Sequence, residues 1–146
     1  MNFIFNDGGR KEAGYKGSAD DCAARAMSIA LNIPYKTAYS ELAKENKDHG
    51  KAKAKSARNR ISKEIYSEVL KRHGWVWVWA PTFKVLEGYK NSEGKVLFGR
   101  KAKCKDMPLG TVIARQAFYH VAVINGIPQD TWDCSEKTVY GYWIKA

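Results

Sequence analysis

Cysteine is scarce. Cys22, Cys104 and Cys134 are the three in 146 residues, an odd set without a Cys-x-x-Cys pair. Neither a disulfide framework nor a zinc site is expected, and the thiols are read as reduced. No run of eighteen apolar residues exists, so no membrane span and no membrane partner are expected. The N-terminal MNFIFNDGGRKEAG lacks the basic-then-apolar order of a secretory leader, which makes the cytosol the expected location. Acids are also few, 15 against 25 Lys and Arg for a formal charge of +10, which favours solubility and a general attraction to polyanions without naming a partner. No repeat or compositional break divides the chain, and a 45% hydrophobic content suits a single domain over residues 1–146.

Apolar periodicity then orders the elements. Residues 6–20, NDGGRKEAGYKGSAD, read as a looped lead-in. With Asp20 or Asp21 as N-cap, Cys22, Ala26, Ile29, Ala30 and Ile33 form a helical stripe, and a first helix is predicted from about Asp21 to Leu31. Asn32-Ile33-Pro34 breaks it, and a second helix begins at Thr37 and ends near Glu45. Residues 46–60 are polar and are predicted to loop out, with Lys51, Lys53, Lys55, Arg58 and Arg60 crowded into ten residues without an acid. Ile65, Tyr66, Val69 and Leu70 mark a third helix from Ser62 to about His73, stopped by Gly74.

The period then changes to two. Trp75, Trp77 and Trp79 alternate with Val76, Val78 and Ala80 until Pro81, which suits a strand. Further strands are predicted at 111–115, 119–124, 127–132 and 139–144. Helices first and strands afterwards give an α+β fold, with N-terminal helices packed on a C-terminal antiparallel sheet.

One pair of residues carries chemistry. Cys22 falls in a first helical turn, where free N–H groups and the helix dipole favour a thiolate and can hold an oxyanion. His120 lies on a late strand, and an imidazole near its ordinary pKa of about 6.5 can take the thiol proton and return it to a leaving group. Asp20 and Asp21 beside the thiol oppose its ionisation unless they turn away to cap N–H groups. The ring needs an orienting partner, and the Asn125-Gly126 turn decides which residue reaches it. A three-residue loop from Ile124 to Gly126 puts Asp130 opposite His120, the arrangement preferred here. A two-residue loop puts Thr131 opposite instead and makes Gln129 or Asp133 the diagonal neighbour.

The wording of NDGGRKEAGYKGSADDCAARAMSIALNIPY, SARNRISKEIY, HVAVINGIPQDTWD and TVYGYW resembles a group of small proteins of tailed bacteriophages and prophages. That group in turn resembles the papain-like cysteine hydrolase superfamily. The resemblance covers most of the chain and is weakest between about Lys84 and Asp106. It implies a papain-like fold in the cytoplasm of an infected or lysogenic host, with Cys22 as nucleophile, His120 as general base and acid, and Asp130 as orienter. No cofactor is implied, and the substrate would be a peptide, isopeptide or related amide. Six residues before Cys22, where many papain-like enzymes carry glutamine, this chain has Lys16, so Lys16 or Ser18 would have to join the Cys22 N–H as oxyanion donors. A non-catalytic relative on the same fold is the second expectation, holding nucleic acid or a host protein through Lys51, Lys53, Lys55, Arg58 and Arg60 with a tryptophan platform nearby.

Overall fold

The structure is a computed structural model that describes residues 2–15, 21–49 and 61–146. It is a mixed α/β architecture. Of three helices, α1 (Cys22–Leu31), α2 (Tyr35–His49) and α3 (Lys63–Arg72), α2 packs against the other two, and those two pack on one large sheet. Its strands are β1 (Ile4–Phe5), β2 (Trp75–Trp79), β5 (Thr111–Gln116), β6 (Tyr119–Ile124), β7 (Ile127–Asp130) and β8 (Gly141–Lys145), in the order β1-β7-β6-β5-β8-β2. A separate two-stranded ribbon joins β3 (Thr82–Lys90) to β4 (Val96–Lys101). Among the described residues, no helix is long and apolar enough to cross a membrane.

Helix α1 lies close on the sheet because the face it buries is small. Ala23, Ala24 and Ala26 surround Met27, and all four are removed from solvent. Below them Trp143 of β8 is fully buried, ringed by Tyr66 (centroids 4.9 Å apart), Trp77 (4.6 Å) and His120 (5.5 Å). The Tyr66 hydroxyl donates to the Ala23 carbonyl at 2.8 Å and ties α3 to α1. Gly141 leaves room for the Trp77 ring, since a Cβ there would stand 2.2 Å from that ring's Cζ2.

Several expectations are corrected. The sheet is mixed rather than antiparallel, because Ile4 and Phe5, ahead of the lead-in and assigned to no element, pair in parallel with Gln129 and Asp130. Asp21 is the residue before α1, but its side chain makes no capping hydrogen bond, since arginine and tyrosine claim it. Helix α2 runs on through 46–49, part of the expected loop. Its last turn is held by Glu45, buried and paired with Arg72 at 2.8 Å. Lys51, Lys53, Lys55, Arg58 and Arg60 lie outside the described residues. Ser62 caps α3 by accepting from the Ile65 N–H at 3.2 Å. The β3–β4 ribbon was not predicted. The tryptophans divide: Trp75 is buried and Trp77 packs against the core, whereas Trp79 is 68% exposed.

Candidate functional site

The β6–β7 turn settles the register. Ile124 pairs with Ile127, Val123 with Pro128 and Ala122 with Gln129, so the loop holds only Asn125 and Gly126. Both have positive φ, 51° and 80°, as a tight two-residue hairpin turn demands. Continued one step, this register sets Asp130 beside Val121, on the face opposite His120. The preferred three-residue loop is therefore overturned, and with it the placement of Asp130 against the histidine.

Cys22 and His120 do meet. Helix α1 lies against β6, and the Cys22 Sγ stands 3.8 Å from His120 Nδ1. His120 rests on Tyr66, with ring centroids 4.4 Å apart. Its other nitrogen, Nε2, lies 2.9 Å from Arg115 Nη1. Arg115 faces His120 directly across the β5–β6 pair. Neither Gln129 nor Asp133 bonds the ring. Gln129 lies on the histidine's face of the sheet, as the shorter loop required, while Asp133 is exposed and accepts from the Ser135 N–H at 2.9 Å.

Asp130 and Asp21 serve a different assembly. Arg25, one turn after Cys22, pairs with Asp21 and, at 3.4 Å, with Asp130. Its guanidinium also donates to the Tyr119 hydroxyl at 2.8 Å, and that hydroxyl donates to Asp130 at 2.5 Å. Asp21 further pairs with Arg10 at 2.8 Å and accepts from the Tyr35 hydroxyl. Two cations and two anions thus balance beneath the start of α1, so the Asp21 charge beside the thiol is neutralised in place. Burial raises the Asp130 carboxyl above its ordinary range, with Tyr119 and Arg25 opposing. Lys16 and Ser18, the expected oxyanion donors, lie outside the described residues, as does Asp20.

Burial also decides the charge state of the pair. Cys22 is 7% and His120 3% exposed. Desolvation pushes the Cys22 thiol up to about 11, outweighing its bond to His120 and the charge of Arg25. Desolvation, with the charge of Arg115 second, pulls His120 down to about 3. The sequence expectation of a helix-stabilised thiolate and an ordinary histidine is corrected accordingly: both groups are neutral at pH 7. An arginine can only donate, so Nε2 accepts and the ring's single proton is on Nδ1, toward the sulfur.

A cleft of about 380 Å³ reaches the pair. Ile61, Ser62, Lys63 and Glu64 at the start of α3 form one wall, Arg115 and Phe118 of the β5–β6 hairpin the other, and Cys22 and His120 lie between them. A larger groove of about 580 Å³ beside Gly8, Ser28 and Tyr35 contains neither residue. Among the described residues, no cluster of His, Cys, Asp and Glu is arranged to hold a metal ion.

No protein-family model matches the chain, and comparison with curated proteins and with solved structures returns no match.

Arg115 is the site residue that sequence reasoning missed. The signal was the short gap in RQAFYH: a two-residue loop at Ala117-Phe118 pairs Gln116 with Tyr119 and so Arg115 with His120. No Gly or Asn marks that turn. Phe118 takes the positive φ of 53° itself.

Proposed function

We propose that the protein is a papain-like cysteine hydrolase or acyl transferase that cleaves a peptide, isopeptide or related amide bond, with Cys22 as nucleophile and His120 as its base and acid. The observation that carries this reading is the 3.8 Å approach of Cys22 Sγ to His120 Nδ1 at the first turn of a helix, on the wall of a cleft. In the reaction the ring first exchanges its Nδ1 proton for one on Nε2; the thiol proton then passes to the freed Nδ1 lone pair and sulfur bonds to the carbonyl carbon. The helix N-terminus stabilises the oxyanion, and the leaving amine departs with the Nδ1 proton. Water then attacks the thioester, giving one proton to His120, and the thiol is restored as the carboxylate leaves. Placement in phage biology, and action in the cytoplasm of a bacterial host on a peptide or protein substrate, rest on the resemblance of the sequence segments.

The test is acylation by p-nitrophenyl acetate. The reading expects a burst of one p-nitrophenolate per chain, absent in Cys22→Ala and at least about 100-fold slower in His120→Phe. A burst indifferent to His120 would remove the base from the mechanism.

One observation favours a second reading. Arg115 on Nε2 holds the proton on the nitrogen that should be receiving one, the state of a non-catalytic relative that uses this fold to hold nucleic acid or a host protein. Absence of Cys22 acylation by any activated ester, together with salt-sensitive binding of nucleic acid, would support it.

A further inference from the structure

The cleft sets two cations, Lys63 and Arg115, against one carboxylate, Glu64. Arg115 is half-buried and forms no ion pair among the described residues; its guanidinium donates to the neutral His120 ring. Glu64 is near enough for its charge to be felt at Arg115, but it is exposed and does not reach ion-pair distance. Lys63 shares the cleft, and its ammonium sits over the Trp77 and Trp79 rings, 4.5 and 5.0 Å from their centroids, likewise without a carboxylate. The N-terminus of α3 opens on the same space, adding the positive end of a ten-residue helix. A planar guanidinium bonded to an imidazole nitrogen is a weak use of a fork that fits a carboxylate with two charge-assisted hydrogen bonds.

We infer that the cleft binds a substrate carboxylate through Arg115 and Lys63, and that this binding releases His120 Nε2 so that the ring becomes a base toward Cys22. The inference rests on the cysteine-hydrolase reading and names its substrate class: an amide whose scissile carbonyl has a carboxylate within a few bonds. The proton steps balance. With Arg115 turned to the carboxylate, Nε2 takes a proton from water as Nδ1 gives one up, leaving the neutral ring with its lone pair toward sulfur. The thiol proton then moves to Nδ1, and Nε2–H no longer points at a cation. Selectivity and activation follow from one movement, because a ligand without the anion leaves the arginine where it is.

Alkylation by iodoacetate and iodoacetamide tests this, since the two reagents differ by the carboxylate alone. In each, sulfur bonds to the methylene carbon and iodide leaves, and peptide mapping reads the modification of Cys22. The expected result is alkylation at least about tenfold faster by iodoacetate, a preference lost in Arg115→Gln and reduced in Lys63→Met, which lies at the surface and keeps the test open if the first variant fails to fold. N-acetylglycine and the α-amide of N-acetylaspartic acid, which keeps its side-chain carboxylate, then compete against iodoacetate; the better protector tells whether the carboxylate is a chain terminus or an acidic side chain. Equal rates for the two reagents in the wild type, or a preference unchanged in Arg115→Gln, would overturn the carboxylate site while leaving His120 dependence intact. If instead His120→Phe leaves both rates unaltered, the hydrolase reading itself fails.

Discussion

Replacing His120 by phenylalanine should flatten the acid limb of the protein's stability. The ring is enclosed by Tyr66, Trp143 and β6, and its folded pKa is depressed from 6.5 to about 3. Between those two values the unfolded chain binds a proton that the folded protein refuses. Stability from this group is therefore complete above pH 6.5 and is lost as pH falls toward 3. Integrated from pH 7 to pH 4, the linkage removes about 3 kcal/mol from the wild type. Phenylalanine keeps an aromatic ring against Tyr66 and Trp143 but binds no proton, so the variant should lose about 3 kcal/mol less over the same interval. Urea unfolding at half-unit steps of pH gives both curves, and the difference between them cancels the carboxylates common to the two proteins. Parallel curves would refute the burial argument, as would a His120 ring titrating near pH 6.5 by NMR.

Two further outcomes separate support from chemistry. Asp130→Ala should cost about 3 kcal/mol by stripping Arg25 and Tyr119 of a buried partner, yet leave the His120 dependence of Cys22 acylation in the folded fraction; loss of that dependence would return Asp130 to the role of orienter. Gly141→Ala should cost about 3 kcal/mol or prevent folding, because the new methyl collides with the Trp77 ring and the Val78 carbonyl. Unaltered urea midpoints would show that β2 adjusts freely over β8.

What the sequence revealed, it revealed through period and punctuation. The span of α1, the helical repeat of α3 with Ser62 before it, and the tight pairs of strands around Asn125-Gly126 follow from local rules, and the structure reproduces them within a few residues. The stripe of α1 is less well matched: the helix buries Ala23, Ala24 and Met27, while Ile29, Ala30 and Ile33 of the expected stripe are half-buried. The meeting of Cys22 with His120 was also legible, because a helix start and a late strand are common places for such a pair. The residue behind the histidine was not. A loop one residue longer or shorter exchanges the faces of a strand, and Asn-Gly fits either length, so Asp130 and Gln129 changed places on a single residue. Arg115 was hidden because its turn carries Ala and Phe where Gly or Asn would have announced it. The two-residue β1 and the β3–β4 ribbon escaped notice because short or exposed strands bury too little to impose alternation. Desolvation of the pair is a tertiary property: nothing in the residues around Cys22 foretells that Tyr66 and Trp143 will enclose its base.

The claim at the centre is that sulfur 22 forms a covalent acyl intermediate with help from His120. Acid quenching of the protein seconds after mixing with an activated ester, followed by peptide mapping and hydroxylamine treatment, measures this directly. The account predicts one hydroxylamine-labile acyl group, on the peptide bearing Cys22 and strongly diminished in His120→Phe. Acyl groups scattered over lysines, with the Cys22 peptide unmodified, would contradict it.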